Sequence, residues 1–305
     1  MKSDYVRQQN SICDFSTSDS WVILSPIEQS IKRKIEAVGT PLKNWDVQIN
    51  YGIKTGFNDA FIITTEKRNE ILDNCRDTDE RQRTTELIRP ILRGRDIKRY
   101  GYEFAGLYLI ATFPSMHYDI EDYPAVKDYL LSFGIERMEQ TGRKYIIDGQ
   151  QVISRKKTNN KWFETQDSIG YVEDFLKPKI MYPNMTKFLP FYYDTKGFYQ
   201  NDKTFMITGN HIAFLTAFFN SSLFKYCFID NFPELQGGTR ELRKIFFDKI
   251  PVITIDETTE ERFQNLVVDI QKDYSKTKAI AIDSMIFDLY NLSKEERDTI
   301  GYIEI

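Results

Sequence analysis

The sequence has 305 residues, 41% hydrophobic and 28% charged, which is ordinary for a globular protein and enough for one large domain or two. A formal net charge of −4 excludes a globally basic nucleic-acid binder, so any contact with a polyanion must come from local clusters. Three scattered cysteines (Cys13, Cys75, Cys227) and only two histidines argue against a disulfide framework, a zinc site or histidine chemistry, and suit a reducing cytoplasm.

Met1 to Ser20 is polar and uneven and reads as a lead or linker, with no secretory signal expected. The stretch SPIEQSIKRKIEAVG then predicts a helix, with Ser25 as N-cap, Pro26 at the first helical position, Glu28 completing a capping box and Gly39 closing it. Ile27, Ile31 and Ile35 fall on one face. Trp45 to Tyr51 and Ala60 to Ile63 read as strands around a glycine loop. In that loop Gly52 and Gly56 bracket Lys54 and Thr55, with Asn58 beyond, offering one cation and several hydrogen-bonding groups. Short helices are expected over Glu66 to Asn74 and Glu80 to Ile88, and a turn or short helix over Arg93 to Arg99. From Arg81 to Arg99 seven Arg/Lys stand against Glu86 and Asp96, a local +5.

Gly106 to Phe113 reads as a strand, Pro124 to Phe133 as a helix and Glu136 to Lys144 as a second, more polar helix. Thr141 to Lys161 carries six Arg/Lys against Asp148, again +5, with Arg155, Lys156 and Lys157 read as a flexible segment suited to phosphates. A short helix from Tyr171 to Leu176 precedes a buried strand, Lys179 to Tyr182. Asp194-Thr195-Lys196-Gly197 gives a hairpin signal between Phe188 to Tyr193 and Phe198 to Gln200. Thr204 to Thr208 is a further strand. His211 to Phe232 is apolar but interrupted by polar residues, so it predicts a buried helix, not a membrane span. Gln236, Gly237, Gly238, Thr239 and Arg240, followed by Arg243, form another glycine loop, in which Gln or Arg suits bidentate base contacts. Thr258 to Lys278 and Ile280 to Tyr290 read as helices, and Ser293 caps a last one. Asp256 to Ile305 has six basic and twelve acidic residues, a local −6 that argues against DNA.

The ordered set of segments resembles the TaqI-like specificity domain, the C-terminal target-recognition region of type IIG restriction–modification enzymes and related adenine methyltransferases. It runs from GIKTGFNDAFII and LIRPILRGRDIKRY through YPAVKDYL, KWFETQ, KPKIMYP, YYDTKGFYQND and FFNSSLFKY to LQGGTRELRKIFFDKIPV, roughly Leu42 to Val252. The tail AIDSMIFDLYNLSKEERDTI is similar to the ending of many type IIG polypeptides. The resemblance implies double-stranded DNA as partner, with a methyltransferase domain, and in some members a nuclease, as neighbours. S-adenosylmethionine, and Mg for cleavage, would then belong to those neighbours and not to this chain.

The sequence carries no catalytic motif of the expected kinds. No Pro-Pro pair is present to form the Asn/Asp-Pro-Pro-aromatic motif of an amino-methyltransferase, and neither a P-loop nor Gly-x-Ser-x-Gly occurs. Asp194-Thr195-Lys196 and Glu173-Asp174 with Lys177 offer only pieces of a metal nuclease. The expectation is a mixed α+β target-recognition domain: residues 1–41 a linker and connecting helix, 42–252 the DNA-reading part, 253–305 a C-terminal helical segment. Its DNA contacts are expected from Lys54, Thr55 and Asn58; Arg93, Arg95, Lys98 and Arg99; Arg155, Lys156 and Lys157; and the loop from Gln236 to Arg243. For each, a structural turn, an internal ion pair or a solvated face is the plainer alternative. A divergent metal-dependent nuclease and a protein-interaction scaffold are the rival functions.

Overall fold

Ser25 begins the first helix in the computed structural model, which describes residues 24–187 and 189–303. The Ser25 hydroxyl accepts from the Glu28 amide, and Glu28 Oε2 accepts from the Ser25 amide at 2.7 Å. That box satisfies two otherwise orphaned donors, and Ile31 and Ile35 bury the helix Pro26–Val38. Gly39 serves clearance: a Cβ there would lie 2.6 Å from Pro251 Cβ and 2.7 Å from the Ile35 carbonyl. The lead from Met1 to Ser20 lies outside the described residues.

The chain divides into two compact units, Met1–Val47 with Ala213–Ile305, and Gln48–Ile212. This differs from the boundaries expected at residues 41/42 and 252/253. Strand Gly39–Pro41 pairs antiparallel with Pro251–Ile253, Gly39 opposite Ile253, so leading and trailing segments form one unit. The other unit is nested between them in the chain.

In the first unit the expected helix from His211 to Phe232 is two helices, Ile212–Phe219 and Ser222–Phe228, bent by 65°. Ser221 is a buried N-cap accepting from the Phe224 amide at 3.0 Å, and the Asp283 carboxylate takes the Ser222 amide and hydroxyl at 2.9 and 2.6 Å. A polar cap inside an apolar run breaks it where periodicity alone shows no break. Phe214, Phe218, Phe224 and Phe232 are fully buried in the aromatic core. Among the described residues no single helix is long and apolar enough to cross a membrane. The two helices expected over Thr258 to Lys278 and Ile280 to Tyr290 are Glu257–Lys272 and Lys276–Leu289, the break falling earlier because Ser275 caps the second.

Ser293 caps Lys294–Ile300 with Glu296, as expected. Glu296 also accepts from Ser30 at 2.8 Å and Lys34 at 2.7 Å, tying the last helix to the first. Burial opposes its charge, but the hydrogen bonds from Lys34, the Ser293 amide and Ser30 outweigh it and hold the carboxyl at about 2. A carboxyl depressed from 4.5 to about 2 contributes stability that is full above pH 4.5 and vanishes as pH falls toward 2. Glu296→Gln is therefore expected to cost about 2 kcal/mol at neutral pH, one partner being partly solvated. The thermal midpoints of the two proteins should converge between pH 4.5 and 2.

The nested unit contains two four-stranded sheets. One runs Tyr192–Asp194, Lys179–Pro183, Thr204–Gly209, Val47–Tyr51; the other runs Tyr199–Gln200, Ile88–Leu92, Leu107–Ile110, Ile62–Thr64. Lys179–Pro183 is buried throughout, as its sequence predicts. Ala60 to Ile63 is not a strand: Asn58–Phe61 is a helical turn and the strand starts at Ile62. The glycine loop thus joins strands of different sheets and closes no hairpin. Asp194 to Gly197 likewise connects two sheets, since Tyr192–Asp194 pairs with Lys179–Met181 while Tyr199–Gln200 pairs in parallel with Ile91–Leu92. The polar helix expected from Glu136 is one turn, Ile135–Met138, followed by a β-hairpin of Lys144–Ile147 and Gln150–Ile153. Asp148 and Gly149, at φ 50° and 77°, make its two-residue turn.

Candidate nucleic-acid interface

Gly52 is where two backbones meet. Its amide donates to the Thr204 carbonyl and that of Ile53 to the Gln200 carbonyl, both at 2.8 Å, and a Cβ on Gly52 would sit 1.9 Å from the Asn201 carbonyl oxygen. Gly56, at φ 77°, turns the chain beside Gln166. Thr55 is 1% exposed, donates to Asn58 Oδ1 at 2.7 Å and accepts from the Phe57 amide. Its hydroxyl holds the turn and is not presented to a ligand. Lys54 and Asn58 are exposed. The Lys54 carbonyl accepts from the Asp167 amide. Burial raises the Asp167 carboxyl, and the Lys54 and Lys156 cations pull it back.

Arg155 corrects the expectation of a flexible basic segment. It is 2% exposed, and its guanidinium donates to the carbonyls of Met138 (2.9 Å), Thr55 (3.1 Å), Glu164 (2.7 Å) and Trp162. The backbone is pinned too, through Arg155 to Glu139, Gly142 to Arg155 and Thr158 to Gln140. Burial lowers the guanidinium to about 10, the Arg137 charge adding to the effect and Glu164 opposing it. Lys156 and Lys157 remain exposed. Lys156, with Gly56, Arg137, Gln151, Ile153 and Gln166, lines a groove of about 560 Å³ beside the hairpin.

Arg93 is a corner post. Its Nε and Nη2 reach Asp96 Oδ2 and Oδ1 at 2.9 and 2.8 Å, and its amide also donates to Asp96. Burial works against the Asp96 charge, but these bonds outweigh it and keep the carboxyl below its usual range. Arg95 is exposed, and among the described residues no hydrogen bond or ion pair holds its guanidinium. Lys98 makes a surface pair with Glu103 at 3.3 Å, which holds it weakly. The Arg99 guanidinium lies 5.4 Å from the Tyr100 ring centroid. The nested unit therefore unites the glycine loop, the segment at Lys156 and the hairpin, while the Arg93 turn packs through Gly94 on Pro183 and Lys203.

The loop from Gln236 to Arg243 belongs to the other unit. Gly237 and Gly238 both adopt φ 77° with nothing near their absent Cβ atoms, so conformation, not close approach, requires them. Arg240 bonds the Phe232 carbonyl at 2.9 Å and pairs with Asp230 and Glu234 at 2.8 and 3.0 Å, which braces its own short strand pair, Glu234–Leu235 with Thr239–Glu241, instead of offering a fork. Arg243 pairs with Glu241 at the surface. Gln236 is exposed and Thr239 half-buried.

The profile of the TaqI-like C-terminal specificity domain matches residues 89–252, more than half of the chain. The chain belongs to that family. Among solved structures it is similar to the type IIG restriction endonuclease BpuSI, with a TM-score of 0.51, 12% identity, and coverage of 88% of this chain and 34% of that one. It is also similar to the type IIL restriction–modification enzyme MmeI, solved in complex with DNA, at TM-score 0.50 and 10% identity, covering 83% of this chain and 34% of that one. The chain spans about a third of the length of these enzymes. No curated protein matches it in sequence.

In this member of the TaqI-like specificity family the candidate cations Lys54, Arg95, Lys98, Lys156 and Lys157 are exposed. Sequence reasoning missed the hairpin with Arg137 and Gln151, although Asp148-Gly149 between two apolar-polar runs is a strong hairpin signal. The pieces suggestive of a nuclease are otherwise engaged. Asp174 bonds Lys177 and Asn50, and Asp194 is buried against Lys179. Among the described residues no three His, Cys, Asp or Glu side chains group as a metal site requires.

Proposed function

We propose that this chain is the sequence-reading module of a restriction–modification enzyme, binding a short double-stranded DNA site. The observation that carries it is the specificity-domain match over residues 89–252. The exposed cations Lys54, Arg95, Lys98, Lys156 and Lys157 support it, being polar contacts on a folded scaffold of net charge −4. In this reading methyl transfer, and cleavage where it occurs, belong to partner domains of a type IIG-like adenine methyltransferase. S-adenosylmethionine and Mg would bind there. Such a module would work in the cytoplasm.

The test is a salt-titrated selection from a randomised duplex pool, with sequencing of the bound fraction. An enriched short motif is the expected result; absence of binding at low salt would overturn the reading. Arg95→Ala should weaken binding alike across sequences and lower the salt slope by about one unit, as loss of one phosphate contact does. Arg93→Ala should move the melting temperature instead, because it leaves Asp96 buried without its partner.

A further inference from the structure

The hairpin Lys144–Ile153 carries a face left exposed among the described residues of the nested unit. Its register sets Lys144 opposite Ile153 and Ile146 opposite Gln151, and opposed residues of an antiparallel pair share a face. All four are exposed, Ile146 at 74% and Ile153 at 50%. The other face is anchored at its base, with the Tyr145 hydroxyl on Glu139 Oε2 at 2.8 Å and Val152 half-buried. The base is rigid: Ser154 Oγ accepts from the Arg143 amide at 2.8 Å, and Arg137 Nη1 donates to the Ile153 carbonyl at 2.9 Å. Among the described residues the two strands pair only with each other, as a separate two-stranded ribbon.

Charge decides what such a ribbon fits. Within residues 141–161 the exposed cations Arg143, Lys144, Lys156, Lys157 and Lys161 stand against Asp148 alone, and neither strand contains Asp or Glu. The open groove beside Ile153 is lined by Arg137 and Lys156. An apolar stripe flanked by cations matches a surface with methyl groups between two rows of phosphates. The major groove of DNA, about 12 Å wide, is such a surface and admits a two-stranded ribbon.

We propose that this face enters the major groove and reads an A·T pair, with Gln151 on the adenine edge and Ile146 on the methyl of the paired thymine. A glutamine amide supplies the donor and acceptor that adenine N7 and N6 require, and an apolar side chain one strand away meets the methyl. Lys144, Arg137 and Lys156 lie on the flanking phosphates. This inference rests on the DNA-reading function above and adds the element and the base pair.

The test uses the full chain and the variants Gln151→Ala, Ile146→Ala and Ile146→Asp. Their side chains are exposed, so near-native melting is expected. Each protein is taken through selection from the randomised duplex pool. The bound motif is then remade with each thymine in turn replaced by uracil, which lacks the methyl. One such replacement should weaken the native chain several-fold and leave Ile146→Ala unaffected. Gln151→Ala should lose roughly five- to a hundredfold on the native motif and its preference at that one position. Identical motifs and affinities for the native chain and the variants would overturn the hairpin assignment while leaving DNA reading intact. A dimeric native chain made monomeric by Ile146→Asp with unchanged selection would overturn it in favour of self-association. A native chain that binds no duplex would overturn the functional reading itself.

Discussion

Replacing Arg155 with methionine should cost about 3–5 kcal/mol of stability, because it strands carbonyls from three separate segments in a buried site. Thr55 belongs to the glycine loop, Met138 to the helical turn before the hairpin, and Trp162 and Glu164 to the following loop. One planar fork joins them, with the ring of Phe61 5.0 Å from its centre. Lysine should recover little, since a single ammonium cannot span these acceptors. Urea unfolding of the native chain, Arg155→Met and Arg155→Lys measures the effect. If Arg155 contacted phosphate instead, Arg155→Met would leave the urea midpoint near native and lower the salt slope of DNA binding.

The second large effect concerns Lys179 and Asp194, both 0% exposed, which pair across adjacent strands of the buried sheet. Lys179 also donates to the Phe175 carbonyl, and Asp194 accepts from the amides of Lys196 and Phe198 at 2.9 Å. Burial drives the Lys179 ammonium below its ordinary range, with the Asp194 charge holding it up. Asp194→Asn or Lys179→Met alone leaves one charge buried without its counterion and should cost about 3–5 kcal/mol. The double replacement should cost clearly less than the two singles summed. Additive losses in chemical denaturation would show that the two groups act independently.

Local chemistry was legible where it acts alone. Ser25 with Glu28 and Ser293 with Glu296 cap the helices that their spacing predicts, and the apolar run at Lys179 is the buried strand expected. Misreadings arose where partners distant in sequence decide. Asp194 to Gly197 has hairpin chemistry, yet the Asp194 carboxylate is engaged by Lys179 and the chain beyond pairs with another sheet. Arg155 stands in an Arg-Lys-Lys run that reads as solvated, and only the fold shows four carbonyls converging on it. Arg93 is held by Asp96, the internal ion pair weighed as its plainer alternative, whereas Arg240 is diverted by Asp230 and Glu234, which nothing in the sequence marks as its partners. Thr55 closes its turn, so of the glycine-loop candidates Lys54 and Asn58 remain on the surface. The hairpin escapes for a simpler reason: Arg143 and Lys144 read as the end of the polar helix expected from Glu136, which overlaps the start of its first strand.

The nested topology has a consequence at the level of genes. The strand leading into the unit Gln48–Ile212 and the one preceding its exit, Val47–Tyr51 and Thr204–Gly209, are hydrogen-bonded neighbours. Both junctions of an exchanged segment would therefore fall at one sheet edge. Two crossovers, near Val47 and near Ala213, would carry the glycine loop, the arginine turn and the hairpin from one homologue to another as a cassette. The host would keep its own loop from Gln236 to Arg243.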